Sequence, residues 1–367
     1  MNTKEQFLLL LRIGLWGGEA NPENFPTEST DWKGLYKLAE QQTVVGIVYD
    51  GLSTLPLELQ PDQHLLRKWY IHVLRIENSH NVLNKTLVEI FSLYEEAGFT
   101  PILLKGQGIA QCYRNPSHRN CGDIDVFVGE KDYKQVNTYC AKKNIITNGE
   151  ESNKHFEFYY KGISIENHRI VARMFNQFSN KHLANAVNEW FPNKVRHIDI
   201  CDKEISLPPV SFDSVFILIH ATNHFIAGGV GLRQLCDWSR LLHTYSKEID
   251  RGVLGKKIKE LGLERIWALF GYISVNYLGL PVDEMPFYSD VSAKKAEKAL
   301  VCIFKEGNFG HLTKSAEPKM FLIKKLFRAR YTIGRLSKVI TIFPRETFIF
   351  FIVYLYLGIK SVTIDKL

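Results

Sequence analysis

The stretch Leu103–Val128, LLKGQGIAQCYRNPSHRNCGDIDVFV, constrains the fold more than any other part of the chain. The apolar run Pro101-Ile102-Leu103-Leu104 reads as a short buried strand that stops at Lys105-Gly106. A short amphipathic segment and a polar loop follow, then a second apolar strand carrying Asp123 and Asp125. Side chains alternate along a strand, so these two aspartates share one side while Ile124, Val126 and Val128 share the other. Neighbouring carboxylates repel and destabilise a strand unless something neutralises them. A pair of Mg²⁺ ions completed by substrate phosphate oxygens does so. Two solvated aspartates near a turn would give the same Asp-x-Asp spacing. The strand–Lys–Gly unit upstream favours the metal reading, because strand, glycine, helix start and acidic strand together suit a nucleoside triphosphate with its ions.

The neighbouring residues extend that expectation. Gly106 lets the backbone approach a phosphate closely, and the free N–H groups of the helix it opens favour an anion. Lys105 is either a point charge for the same phosphates or a solvated strand-end lysine. Arg119 precedes Asp123 by four residues, on a loop expected to face the site, where a guanidinium would pair with a triphosphate or with the aspartates. Arg114 and His118 read as ordinary loop residues. A third carboxylate is expected on a neighbouring strand. In Ile163-Ser164-Ile165-Glu166-Asn167-His168, the residues Ser164, Glu166 and His168 share a polar face, which makes Glu166 the candidate and Glu157 on the partner strand its rival. Such a carboxylate activates an attacking hydroxyl or holds the metal that does. His168 reads as an orienting or substrate-side group, since the implied ions prefer oxygen donors.

Periodicity divides the chain into a helical part over 1–98, an α/β core over 99–208 and a helical part over 209–367. The fold class is α+β, a small mixed sheet flanked by helices. Strands are expected at His155–Tyr160 and Ile163–His168 around a tight Lys161-Gly162 turn, and as a pair within Val195–Leu207. The opening MNTKEQFLLLLRIGLW lacks a small-residue cleavage site and reads as a docked helix. Six scattered cysteines without a C-x-x-C pair speak against a zinc site or a disulfide framework and fit reduced thiols in the cytoplasm. The net charge of +7 permits an anionic partner without demanding one.

Three features lie in the C-terminal part. Arg233 and Asp237, one helical turn apart, predict a salt bridge, the other reading being that Arg233 or His224 lines a nucleotide cleft. His220 and His224 are similarly spaced, but no H-E-x-x-H pattern supports zinc. Lys319–Lys338 holds seven basic residues and no acid, and Thr347–Ile359 is apolar and aromatic yet short for a bilayer span. Three readings stand for 319–359: packing on the body with a solvated basic face, peripheral contact with the surface of the inner membrane, or nucleic-acid binding.

The sequence Leu104-Lys105-Gly106, Ala110, Tyr113, Arg119, Gly122-Asp123-Ile124-Asp125, followed by Glu166-Asn167-His168, resembles the uncharacterised nucleotidyltransferase family of bacteria, within the DNA polymerase β-type superfamily. The resemblance implies transfer of a nucleoside monophosphate from a triphosphate such as ATP to an acceptor hydroxyl, with release of pyrophosphate. It implies two Mg²⁺ ions bridged by Asp123 and Asp125, with Glu166 completing the site. The superfamily more usually carries Gly-Ser after the first strand. Here Lys105-Gly106-Gln107 stands instead, which leaves the phosphate grip to backbone amides, Lys105 and Gln107. The acceptor stays open among a small molecule, a glycan precursor, a protein and RNA. Two other classes fit the same motifs: a toxin or abortive-infection transferase acting on tRNA or protein, and a catalytically silent nucleotide-binding interaction protein.

Overall fold

Four α-helices, α1 (Thr3–Trp16), α2 (Trp32–Gln41), α3 (Val45–Leu52) and α4 (Gln63–Glu96), precede the first strand in the computed structural model, which describes residues 1–145, 147–152, 154–308 and 320–364. A capping box starts α1: the Asn2 side chain accepts from the Lys4 and Glu5 amides, and the Glu5 carboxylate accepts from the Asn2 amide. Phe7, Leu10, Leu11 and Leu15 of α1 are fully buried, so the apolar N-terminal run is a docked helix. The spine of the molecule is α4, 34 residues long and so about 51 Å at 1.5 Å per residue. Its first half buries Leu65, Trp69, Val73 and Ile76 in a helical core. Its second half buries Leu83, Leu87, Ile90, Phe91 and Tyr94 against a sheet.

That sheet contains β1 (Ile102–Leu104), β2 (Asp123–Phe127), β3 (Thr147–Glu151), β4 (His155–Tyr160) and β5 (Ile163–His168), in the order β1-β2-β5-β4-β3. Only the β2–β5 pairing is parallel. A five-residue helix α5 (Gly106–Ala110) follows β1, and α6 (Gly129–Lys142) follows β2. Lys161 and Gly162 both take positive φ, 51° and 81°, as the two-residue hairpin between β4 and β5 requires. Sequence reading missed β3, because Thr-Asn-Gly-Glu-Glu has low strand propensity and adds only at the sheet edge. One sheet face, with Ile124, Val126, Phe158 and Ile165, packs on α4 and on Tyr133, Val136 and Cys140 of α6. The other face carries Asp123, Asp125, Glu166 and His168.

The remaining elements are α7 (Gln177–Lys194), the hairpin β6 (Arg196–Ile200) and β7 (Lys203–Leu207), then α8 (Val210–Ala227), α9 (Leu232–Thr244), α10 (Arg251–Leu261), α11 (Glu264–Asn276), α12 (Ala293–Glu306), α13 (Phe321–Val339) and α14 (Pro344–Ile364). The expected division at 98/99 and 208/209 does not divide the core. The N-terminal and C-terminal helices share one apolar cluster. Phe7 of α1 meets Phe304 of α12 edge to face at 5.8 Å, and Arg12 donates to the Tyr277 carbonyl at 2.8 Å. Among the described residues, α8 is the one helix long and apolar enough to cross a membrane, and it is mostly buried in this core.

The basic C-terminal run is not uniformly solvated. Lys319 lies outside the described residues, as do the side chains of Lys324, Lys325 and Arg328. Arg335 is buried, pairs with Glu306 of α12 at 2.9 Å, and donates to the Phe225 and Ile226 carbonyls of α8. It ties α13 to the body. Ile333, Phe348, Ile352 and Tyr356 are exposed along α13 and α14.

Asn167 of β5 sits between two site residues, with its side chain on the buried face. Its Oδ1 accepts from the Tyr94 hydroxyl at 2.9 Å, and its amide donates to Asn137 at 2.9 Å. Tyr94→Phe leaves a buried acceptor unsatisfied. It should lower the stability of the sheet by about 1–3 kcal/mol, read as a shifted urea midpoint with an unchanged slope.

Candidate active site

Strand register builds the polar face as a grid. Along β2 and β5, Asp123 lies opposite Ser164, Asp125 opposite Glu166, and Phe127 opposite His168. Along β5 and β4, Glu166 lies opposite Glu157 and His168 opposite His155. Oxygens of Asp123, Asp125 and Glu166 converge within 4.8 Å of one another. An all-oxygen set of this kind suits a hard divalent cation.

Charge decides how the cluster is held. The Lys105 ammonium lies 3.0 Å from Asp125 Oδ2. His168 Nε2 lies 2.9 Å from Asp125 Oδ1 and 3.1 Å from Glu166 Oε2. His155 Nδ1 stands 3.2 Å from the same Glu166 oxygen. Burial alone would raise the Asp125 pKa, but Lys105 and then His168 carry it well below the usual carboxylate range. Asp123 goes the other way: the neighbouring charge of Asp125, then burial, raise its pKa. Burial works against the charged form of Lys105, yet Asp125 and Asp123 outweigh it and raise the pKa of the ammonium.

The turn that delivers Lys105 is strained. Lys105 has φ 51° and ψ −136°, and Gly106 follows at φ 44°. A non-glycine residue there costs about 1–3 kcal/mol. In exchange the chain passes from β1 straight into α5 with the ammonium against Asp125. With only five residues, α5 has a small dipole, so the anion-attracting helix end expected at Gly106 is weak.

Facing this sheet end are α8 and α9. The cleft between them has a volume of about 280 Å³, at the lower edge of the ~300–1,000 Å³ of ordinary ligand sites. Lys105, Gly106, Asp123, Asp125, Lys154, His155 and Glu166 line one side, and His220, His224, Arg233 and Asp237 the other. Burial, then Lys105, holds both helix histidines neutral, His224 with its pKa lowered to about 4 and His220 well below its ordinary value. Their rings meet edge to face at 4.4 Å.

Asp123, Asp125, Glu166, His168, Lys105 and Gly106 thus come together. Gln107 does not join them. Fully buried on α5, it donates to Asn84 of α4 and gives the cleft no side chain, because the residue after Gly106 on this short helix points to the spine. Arg119 lines the cleft but contacts neither aspartate of β2. It pairs in bidentate fashion with Asp237, at 2.8 and 2.7 Å, and Tyr113 donates to the same carboxylate at 2.7 Å. The salt bridge expected between Arg233 and Asp237 is therefore replaced. Arg233 instead lines the cleft and donates to the Asn120 carbonyl at 2.6 Å, the second of the two sequence readings for it. Glu157 accepts from Ser164 at 2.8 Å and is absent from the cleft wall, so Glu166 is the third carboxylate of the cluster. Lys154 and His155 were missed. Hairpin arithmetic could have found His155: six residues before Lys161, it must pair with His168, six after Gly162.

The loop before β2 is clamped from both ends. Arg119 and Asp237 are buried, and burial is overcome by their mutual attraction, which lowers the Asp237 pKa. Asp237→Asn strands the guanidinium and should destabilise the fold by about 3–5 kcal/mol, measured by chemical denaturation. His118, one residue earlier, lies between Asp50 at 2.7 Å and Glu77 at 3.0 Å. Burial lowers its pKa, but Asp50 and then Glu77 outweigh that and raise it. Its stabilising effect is full below about pH 6.5 and is lost as pH rises through the raised value. The stability difference between wild type and His118→Gln should therefore be largest in mild acid and shrink in alkali. A difference that grows with pH would contradict this pairing.

The family of uncharacterised nucleotidyltransferases matches residues 28–279, from just before α2 to just past α11. The match takes in the strained Lys105 turn, the Asp123–Asp125 strand, Glu166 and the α8–α9 wall. Comparison with curated proteins and with solved structures gives no match. With more than half of its length matched, the chain belongs to this nucleotidyltransferase family.

Proposed function

We propose that this cleft transfers a nucleoside monophosphate from a nucleoside triphosphate to an acceptor hydroxyl and releases pyrophosphate. The observation that carries the reading is the convergence of Asp123, Asp125 and Glu166 within 4.8 Å, opposite a wall bearing Arg233. The carboxylates fit a divalent cation of the Mg²⁺ type: all donors are oxygens, and Asp123 is left with repulsion that Lys105 does not remove. When bound, such ions neutralise triphosphate charge and lower the pKa of an acceptor hydroxyl.

The chain's own groups do the rest. Lys105 and His168 keep Asp125 ionised and fix its two oxygens in opposite directions. Glu166, steadied by His168, takes the proton of the acceptor hydroxyl or passes it to solvent. The acceptor oxygen forms its bond to the α-phosphorus as the bond from that phosphorus to the bridging oxygen breaks, and pyrophosphate departs. Lys154 and Arg233 supply positive charge to the departing group. The neutral rings of His220 and His224 offer hydrogen bonds or stacking to a nucleobase without adding charge.

Pyrophosphate release, followed with each of the four triphosphates in the presence of Mg²⁺ and fractionated cell extract as the acceptor source, tests this. Wild type should release pyrophosphate and place labelled nucleotide on one fraction. Asp125→Ala and Glu166→Gln should each lose at least about 100-fold, since even outer partners of metal ligands are worth about 10–100-fold. Chelation of divalent ions should stop the reaction. Silence with every triphosphate and every fraction would sink the proposal.

A further inference from the structure

Beside the all-oxygen cluster lies a second convergence of donors, built from two imidazoles. His155 and His168 face each other across β4 and β5, with ring centroids 5.1 Å apart. His168 Nε2 is 2.9 Å from Asp125 Oδ1 and 3.1 Å from Glu166 Oε2, and His155 Nδ1 is 3.2 Å from that same Glu166 oxygen. Donor atoms of His155, Glu166 and His168 lie within 4.8 Å of one another.

Protons satisfy only part of this arrangement. One imidazole nitrogen carries at most one proton, yet His168 Nε2 faces two carboxylates. His155 Nδ1 is buried and makes no hydrogen bond despite its closeness to Glu166, and His168 is completely buried. Two nitrogens and a carboxylate oxygen of Glu166 therefore converge with fewer hydrogens than they have lone pairs. The separations of 3.1 and 3.2 Å are close to the roughly 3.3 Å between ligand atoms of a tetrahedral ion bound at about 2.0–2.1 Å.

We infer that His155, His168 and Glu166 form a mixed nitrogen–oxygen site for one first-row transition-metal ion of the Mn²⁺, Co²⁺ or Zn²⁺ class. Imidazole donors select such ions over Mg²⁺. The site shares Glu166 with the Asp123–Asp125 cluster, so the cleft has two unlike metal positions bridged by that carboxylate. The nitrogen-rich position holds Glu166 in place; the all-oxygen position is left for the ion that travels with the triphosphate. The inference concerns the same cleft as the proposed transfer reaction but does not depend on turnover.

The test uses metal-free full-length protein and Mn²⁺ alone, without nucleotide. Electron spin-echo modulation should show ¹⁴N coupling to bound Mn²⁺ in the wild type. His155→Gln, at a partly exposed strand end, should weaken Mn²⁺ binding by at least about tenfold and diminish the nitrogen signal, with an unchanged melting temperature in the metal-free state. Asp123→Asn should keep the nitrogen signal. Bound Mn²⁺ without nitrogen coupling in the wild type, or wild-type affinity in His155→Gln, would overturn the site. Because no nucleotide is present, nitrogen coupling without pyrophosphate release would leave this inference standing and remove the transfer reaction, and the converse result would do the opposite.

Discussion

Three carboxylates placed at one end of a sheet repel one another, and much of this structure is an answer to that repulsion. At 4.8 Å and an effective dielectric near 20, each pair of charges repels by about 3 kcal/mol. Asp125 is the critical member, since it is almost completely buried. Its two oxygens are served separately, Oδ2 by Lys105 and Oδ1 by His168. Glu166 leans on His168 and His155. Asp123, the most open of the three, has no such partner, and its raised pKa records the imbalance. A cation is therefore favoured at the Asp123 edge by the same physics that makes the cluster costly without one.

Holding these groups at fixed distances needs rigid supports on both sides of the cleft. On the sheet side, α4 packs beneath β2 and β5, and Tyr94 fixes Asn167 between Glu166 and His168. On the helical side, the pair Arg119–Asp237 ties the loop before β2 to α9, and Arg233 holds the Asn120 carbonyl of the same loop. Because α4 is shared by the helical core and the sheet core, movement of the helices relative to the sheet would have to bend one continuous helix. The cleft wall and the carboxylates are thus parts of one body despite their distance in sequence.

Much of this was legible from local chemistry. Alternation along β2 and β5 gave the shared face of Asp123, Asp125, Glu166 and His168, because strand period is fixed at two. The turn at Lys161-Gly162 was readable because two-residue hairpins demand positive φ at both positions. What stayed hidden depended on tertiary pairing. Nothing local in Arg119 says that its partner is Asp237, more than a hundred residues away, and the one-turn spacing of Arg233 and Asp237 pointed to the wrong pair. Nor does composition say that the N-terminal and C-terminal helices share a core. The Arg335–Glu306 pair likewise joins segments whose charges looked solvated in isolation.

The departure at Lys105-Gly106-Gln107 takes on a definite meaning in this light. A side-chain hydroxyl after the glycine would point where Gln107 points, and Gln107 is turned into α4 and fully buried. In this chain that position belongs to the spine. The only side chain this turn offers to the cleft is Lys105, and the backbone adopts an unfavourable φ to offer it. An ammonium there holds Asp125 in the absence of other cations, which a serine hydroxyl could not do at comparable strength, because a charge-assisted contact is about twice as strong as a neutral one. What this turn contributes is the Lys105 ammonium against Asp125, which keeps the acidic cluster assembled.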